Sequence, residues 1–196
     1  MFEDDEFLRK CKEGKIKDII WFHSLKPLGN LIHNGFMIGC EHGKTEIALF
    51  LYKIYGINKT TKDKSFKLSC GGGHFETAKW IQSLSDRDAE INIESVKESF
   101  KICCENGHTE VAKWIHSIWN MDKNLMHEAF YLACKNGCTE LAEWLFSFEQ
   151  KEINDIEEIF KYNCCVGNLK IAQILYLIKP MNIHIDEEYL FRWACL

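Results

Sequence analysis

Proline is almost missing from this chain of 196 residues: there are 2, beside 13 phenylalanines and 10 cysteines. Helices are therefore nearly free of their commonest breaker. No two cysteines are spaced Cys-x-x-Cys, so the usual zinc and dithiol-redox signatures are absent. Excess positive charge is lacking too. The net charge of −5 and pI of about 5.9 argue against non-specific affinity for nucleic acid or an anionic membrane. Long apolar runs do not occur either. Stretches such as Ile171 to Ile178 are interrupted by Gln173 and fall far short of the roughly 20 residues of a membrane span. The start, Met-Phe-Glu-Asp-Asp-Glu-Phe, is acidic where a secretory signal is basic and then apolar, so an intracellular protein is expected. What is present, 46% hydrophobic and 27% charged residues, is the composition of a folded soluble chain rather than a disordered one.

The chain repeats itself, which must be tested before local structure is assigned. Phe100-Lys-Ile-Cys-Cys104-Glu-Asn-Gly107-His-Thr-Glu-Val-Ala112-Lys-Trp114-Ile115 returns as Phe130…Cys134…Gly137…Ala142…Trp144-Leu145. Upstream lie Phe66…Cys70…Gly73…Ala78…Trp80-Ile81 and Phe36…Cys40…Gly43…Ala48…Phe50-Leu51. Looser copies run from Phe7 to Phe22 and from Phe160 to Leu175. The shared glycines, at 14, 43, 73, 107, 137 and 167, recur every 29 to 34 residues. The units span roughly 3–29, 32–58, 62–91, 95–120, 124–153 and 155–182, within a single repeat domain covering 1–196. A seventh begins near 186 with Phe191-Arg-Trp-Ala-Cys195 and stops at Leu196. A terminal unit needs a polar outer face, so the chain is expected to be cut from a longer protein.

Each unit reads as helix, turn, helix. Phe100 and Cys104, four apart, share a helical face, and the small residue before the cysteine (Ser69, Cys103, Ala133) admits a neighbouring helix. Glycine three residues after the cysteine is a helix stop, where left-handed backbone costs it least. The second helix carries Val111, Trp114, Ile115 and Ile118 on one face, and the repeat-equivalent Trp21, Trp80, Trp114 and Trp144 are expected in the core. Trp119 and Trp193 fall outside that pattern and could be exposed. Ser95-Val-Lys-Glu98 and Asn154-Asp-Ile-Glu157 fit capping boxes, Asp186-Glu-Glu precedes the seventh helix, and Ile57-Asn58, Ile91-Asn92 and Ile153-Asn154 recur in the connectors as expected anchors.

A period near 30 built from helix pairs, with Cys-Glu-Asn-Gly-His-Thr-Glu-Val-Ala-Lys-Trp-Ile at 104–115, resembles the ankyrin repeat. The likeness covers Phe7 to Cys195. In its details it is similar to the ankyrin-like proteins abundant in giant amoeba viruses and other large DNA viruses. The usual Thr-Pro-Leu-His start is missing from every copy, with Phe at the Leu position, and no Asp-x-x-Gly hairpin occurs, so the connecting β-fingers are expected to be shortened or absent. The resemblance implies an all-α, right-handed solenoid of about six helix pairs, binding a protein partner on its concave face. A host or viral protein would be that partner.

Candidate chemistry competes with packing at each position. Seven cysteines (11, 40, 70, 104, 134, 164, 195) hold one repeat position, where a small buried residue is expected. Equivalent residues in neighbouring units lie about 10 Å apart, beyond the roughly 7 Å between the Cα atoms of a disulfide. Cys103, Cys138 and Cys165 remain, and with Cys134 they define an alternative reading as a metal- or redox-responsive module. His74 and His108 follow the turn glycine, where Lys, Cys and Asn also occur, and are expected to hydrogen-bond across the turn. Gly71-Gly72-Gly73-His74 lacks the strand and Gly-Lys-Ser/Thr ending of a phosphate loop. No Ser/His/Asp set or carboxylate pair recurs, so no catalytic residue, metal or cofactor is assigned. The residue after the repeated phenylalanine varies, and Lys67, Lys101, Tyr131, Lys161 and Arg192 are the candidate partner-binding residues of a monomer, suited to an acidic protein. Against this, Lys101 and Lys161 could simply pair with Glu98 and Glu158, three residues earlier.

Overall fold

The computed structural model describes residues 2–25, 28–84, 90–148 and 156–180. Among them are twelve α-helices and no β-strand: α1 (Phe2–Glu13), α2 (Ile16–Leu25), α3 (Leu31–Glu41), α4 (Thr45–Tyr55), α5 (Lys59–Gly71), α6 (Phe75–Ser83), α7 (Ile93–Asn106), α8 (Thr109–Trp119), α9 (Lys123–Lys135), α10 (Thr139–Phe146), α11 (Ile156–Cys165) and α12 (Leu169–Ile178). The fold is all-α, and the helices pair as the glycine period predicts. Asn154 and Arg192, with the whole seventh copy, lie outside the described residues.

Contacts divide the chain into two units, Met1–Ser99 and Phe100–Leu196, with α7 contributing to both. In the first, α1 packs on α2 and α3, α3 on α4 and α5, α5 on α6, and α2 on α4. In the second, α9 packs on α10 and α11, and α12 on α10 and α11. Each unit thus holds a row of first helices and a row of second helices. The core between the rows is the predicted one: Phe7, Phe36, Phe66, Phe100 and Phe130 are at most 1% exposed, and Ala48, Ala78, Ala112 and Ala142 are fully buried.

The turn inside each pair has one form. In α1–α2 the amide of Gly14 donates to the Cys11 carbonyl and that of Lys15 to the Lys10 carbonyl, and Gly14 has φ +79°. The Cys138 and Asn168 amides repeat the long bond, to the carbonyls of Ala133 and Asn163. This is the Schellman closure, which satisfies the last carbonyls of the first helix and requires a left-handed residue that glycine supplies most readily.

Helix starts are capped differently from expectation. The Asn58 and Asp122 carboxamide and carboxylate oxygens accept from the amides of Thr61 and Leu125. At α7 the acceptor is Asn92, bonded to the Glu94 amide at 2.8 Å, and not Ser95, which lies inside the helix. Asn58 and Asn92 of the Ile-Asn connectors are thus caps, while Ile91 is the buried anchor at 7% exposure. Met121-Asp122 is the same device in other residues, with Met121 also 7% exposed.

The tryptophans depart from their predicted place. Trp80, Trp114 and Trp144 are only half-buried, Trp21 is 56% exposed, and Ile118 is 44% exposed. The reason is lateral. At Phe50, Trp80 and Trp144 this ring lies against the preceding pair, on the residue two places after its own equivalent there. Phe50 meets His23 at 5.9 Å between ring centroids, Trp80 meets Tyr52 at 6.0 Å, and Trp144 meets His116 at 5.8 Å. Trp21 belongs to the first pair, and its ring contact is with the adjacent Phe22. In the second unit, α11–α12 carries Leu169 (55% exposed), Tyr176 and Leu177 around a cavity of about 560 Å³.

Candidate interaction surface

The exposed side of the first helices carries the candidate residues, and its lysines are not the open basic stripe the sequence suggests. Lys67 Nζ lies 2.9 Å from Glu98 Oε2, and Lys101 Nζ lies 2.7 Å from Glu128 Oε1. Each pair joins a first helix to the next one along. Lys101 thus reaches forward to Glu128 on α9, a partner other than the Glu98 of its own helix that the sequence suggests, while Glu98 meets Lys67. Lys161 is exposed on α11. The ion pairs are solvent-exposed and of small energetic weight. Lys101→Glu is expected to lower the unfolding free energy by no more than about 1 kcal/mol, with recovery in Lys101→Glu/Glu128→Lys, measured by urea denaturation as a double-mutant cycle.

Tyr131 stands apart. It lines a cavity of about 460 Å³ between α9 and α11, with Lys135, Asn136, Glu158, Ile159 and Tyr162. The Lys135 ammonium sits 5.9 Å from the centre of the Tyr131 ring, a cation–π contact. Ile159 is buried, whereas Tyr162 is 51% exposed. Glu158 makes no ion pair or hydrogen bond among the described residues. Tyr131 was legible as a variable position. The other members of the cavity were not, because they come from the neighbouring pair.

The cysteines divide by depth. Cys11, Cys40, Cys70, Cys104 and Cys134 are fully buried, as their repeat position predicts, while Cys164 is half-exposed and Cys195 lies outside the described residues. Cys103 is also fully buried, at the position held by Ser69 and Ala133. Burial pushes the thiols of Cys11, Cys40 and Cys134 up to about 12, and that of Cys104 higher still. The reactive species is the thiolate, so these residues are inert in the folded state. Cys138 follows the turn glycine, and its Sγ lies 3.7 Å from the carbonyl oxygen of Glu105 in the preceding pair, in donating geometry. No three His, Cys, Asp or Glu side chains converge as metal ligands among the described residues. In a thiol-exchange assay at neutral pH, Cys138, Cys164 and Cys165 are expected to label first, and the five deep thiols at the cysteine position, with Cys103, only on unfolding. Rapid native labelling at Cys40 or Cys104 would contradict the packing described.

The residue after the turn glycine has a second role. Its side chain lies over the turn glycine of the preceding pair: a Cβ on Gly14 would stand 3.1 Å from Lys44 Cδ, on Gly43 2.6 Å from His74 Nδ1, on Gly107 3.0 Å from Cys138 Sγ, and on Gly137 2.6 Å from Asn168 Nδ2. Lys, His, Cys and Asn are interchangeable here because the task is to cover a turn. Gly72 of the triple glycine is crowded likewise, its Cβ position lying 2.7 Å from the Glu41 carbonyl oxygen. Gly71 to Gly73 therefore end a helix beneath a neighbour and leave no open cradle for phosphate.

What fold and sequence define together is an all-helical chain whose residue after each recurring phenylalanine varies. Compared with protein-family models and with curated proteins, the chain matches none. Among the described residues, no helix is long and apolar enough to cross a membrane.

Proposed function

We propose that the chain is an ankyrin-like solenoid acting as a non-catalytic scaffold, which holds a protein partner on the face formed by its first helices. The observation that carries this reading is the division of labour within the hairpins. Buried positions recur as Phe, Cys and Ala and the turn as Gly, whereas the position after each phenylalanine changes from Leu8 and Met37 to Lys67, Lys101, Tyr131 and Lys161. A recurring core with a changing face is what a binding array needs, because helices fixed on both rows lose little freedom when a partner docks. If the likeness to the viral proteins extends to their role, the partner is a host or viral protein.

The test compares two triple variants in affinity capture. Lys67→Glu/Tyr131→Glu/Lys161→Glu alters the first-helix face, and Lys53→Glu/Lys79→Glu/Lys113→Glu alters exposed positions of the second helices. Partner recovery is expected to fall only with the first. Equal recovery from both would overturn the assignment of the face.

A further inference from the structure

We infer that the cavity between α9 and α11 receives an arginine side chain of the bound protein; this rests on the scaffold reading and names the chemistry of the partner at one point. Glu158 is the acidic residue of the cavity lining, and two other glutamates of the same helices are already paired, Glu128 with Lys101 at 2.7 Å and Glu157 with Lys179 at 3.1 Å. Glu158 is the carboxylate left with neither counterion nor hydrogen bond among the described residues. It shares the cavity with Tyr162, whose half-exposed ring has no hydrogen-bond partner among those residues.

A carboxylate and an aromatic face that lack partners among the described residues are satisfied together by one side chain above others. The guanidinium of arginine pairs with carboxylate through its planar fork and stacks on aromatic rings through its face. The cavity, about 460 Å³, falls within the usual range of ligand sites, and buried Ile159 offers an apolar floor to the methylene stem. Lys135 already holds a cation over Tyr131, so that ring is engaged and Tyr162 is the open one. Lys135 is a like charge to a guanidinium, but it is engaged on the Tyr131 ring, whereas Glu158 has no counterion among the described residues. A neutral side chain would leave Glu158 without a counterion. The net charge of −5 favours approach of a basic segment over long distances. The sequence-level expectation of an acidic partner rested on lysines of which two prove to be neutralised by glutamates.

The experiment titrates the chain, labelled with ¹³C at tyrosine, with N-acetyl-arginine methylamide at constant ionic strength, and repeats the titration with the citrulline and glutamate derivatives. Saturable shifts are expected at Tyr131 and Tyr162 with the arginine probe, with the citrulline probe and the Glu158→Gln variant each weaker by about tenfold. Urea denaturation checks that the variant is folded. No saturable shift, an equal response to citrulline, a stronger response to the glutamate probe, or unchanged binding in a folded Glu158→Gln variant would each overturn the proposal. The two readings fail separately. Face-dependent capture with a silent arginine titration removes only this inference, whereas a specific arginine response with face-independent capture supports the cavity and removes the scaffold assignment.

Discussion

Replacing Phe130 with alanine is expected to lower the unfolding free energy by about 3–5 kcal/mol, the largest effect of any single side chain named here. The ring is fully buried at the middle of α9, its centroid 6.4 Å from that of Phe146 on α10. α9 also packs on α11, so the hole would open where three helices meet. Backbone on all sides is held by its own helical hydrogen bonds, so the site cannot collapse to refill it. Whole domains are commonly stable by only about 5–15 kcal/mol, and the variant should therefore show a much earlier urea midpoint. Phe160 is the internal comparison. It holds the same repeat position, but it is 8% exposed and lines the open cavity of α11–α12, where relaxation is easier. Phe160→Ala should therefore cost clearly less. A loss below about 1 kcal/mol for Phe130→Ala would mean that the phenylalanine row is not the packed core.

Gly137→Ala is expected to cost about 2–3 kcal/mol, from two sources that can be separated. Gly137 has φ +74°, and an L-residue there pays roughly 1–2 kcal/mol for the crowding of its Cβ against the backbone. The new methyl would also stand 2.6 Å from Asn168 Nδ2, which donates to Asn163 Oδ1 at 3.1 Å. Asn163 is fully buried and donates at 2.9 Å to the carbonyls of Cys134 and Ile159, tying α11 to the end of α9. Displacing Asn168 therefore disturbs a buried polar network, and loss of one such bond is worth about 1 kcal/mol. Gly167 isolates the backbone part: its φ is +79°, and no described atom would lie within 4 Å of its Cβ. Gly167→Ala should show the conformational cost alone. Equal losses at the two glycines in urea denaturation would show that the covering side chain contributes nothing.

Much of this architecture was readable from residue order because the signals are local. A glycine three residues after a cysteine stops a helix wherever it stands, since the left-handed backbone penalty depends only on that residue. The i, i+4 spacing of Phe and Cys sets a buried face without reference to a partner. Capping was read less well. Ser95 and Glu98 fit the box pattern, but Asn92, three residues earlier, starts the helix because Ile91 is buried and fixes where the chain enters. The tryptophans misled for a related reason. A large apolar residue on an amphipathic face suggests core, yet the Trp80 and Trp144 rings cross to the neighbouring pair, and burial then depends on what that pair presents.

The sequence by itself determined the described helices, their turns and the identity of the buried row, all consequences of backbone preference and local periodicity. Only the tertiary structure decided what one hairpin shows to the next. It matched Lys67 to Glu98 and Lys101 to Glu128, laid His74, Cys138 and Asn168 over foreign glycines, and left Glu158 and Tyr162 open beside Tyr131. Those contacts join residues about 30 positions apart, and their partners are set by the lateral offset between helices, a distance that no local pattern encodes.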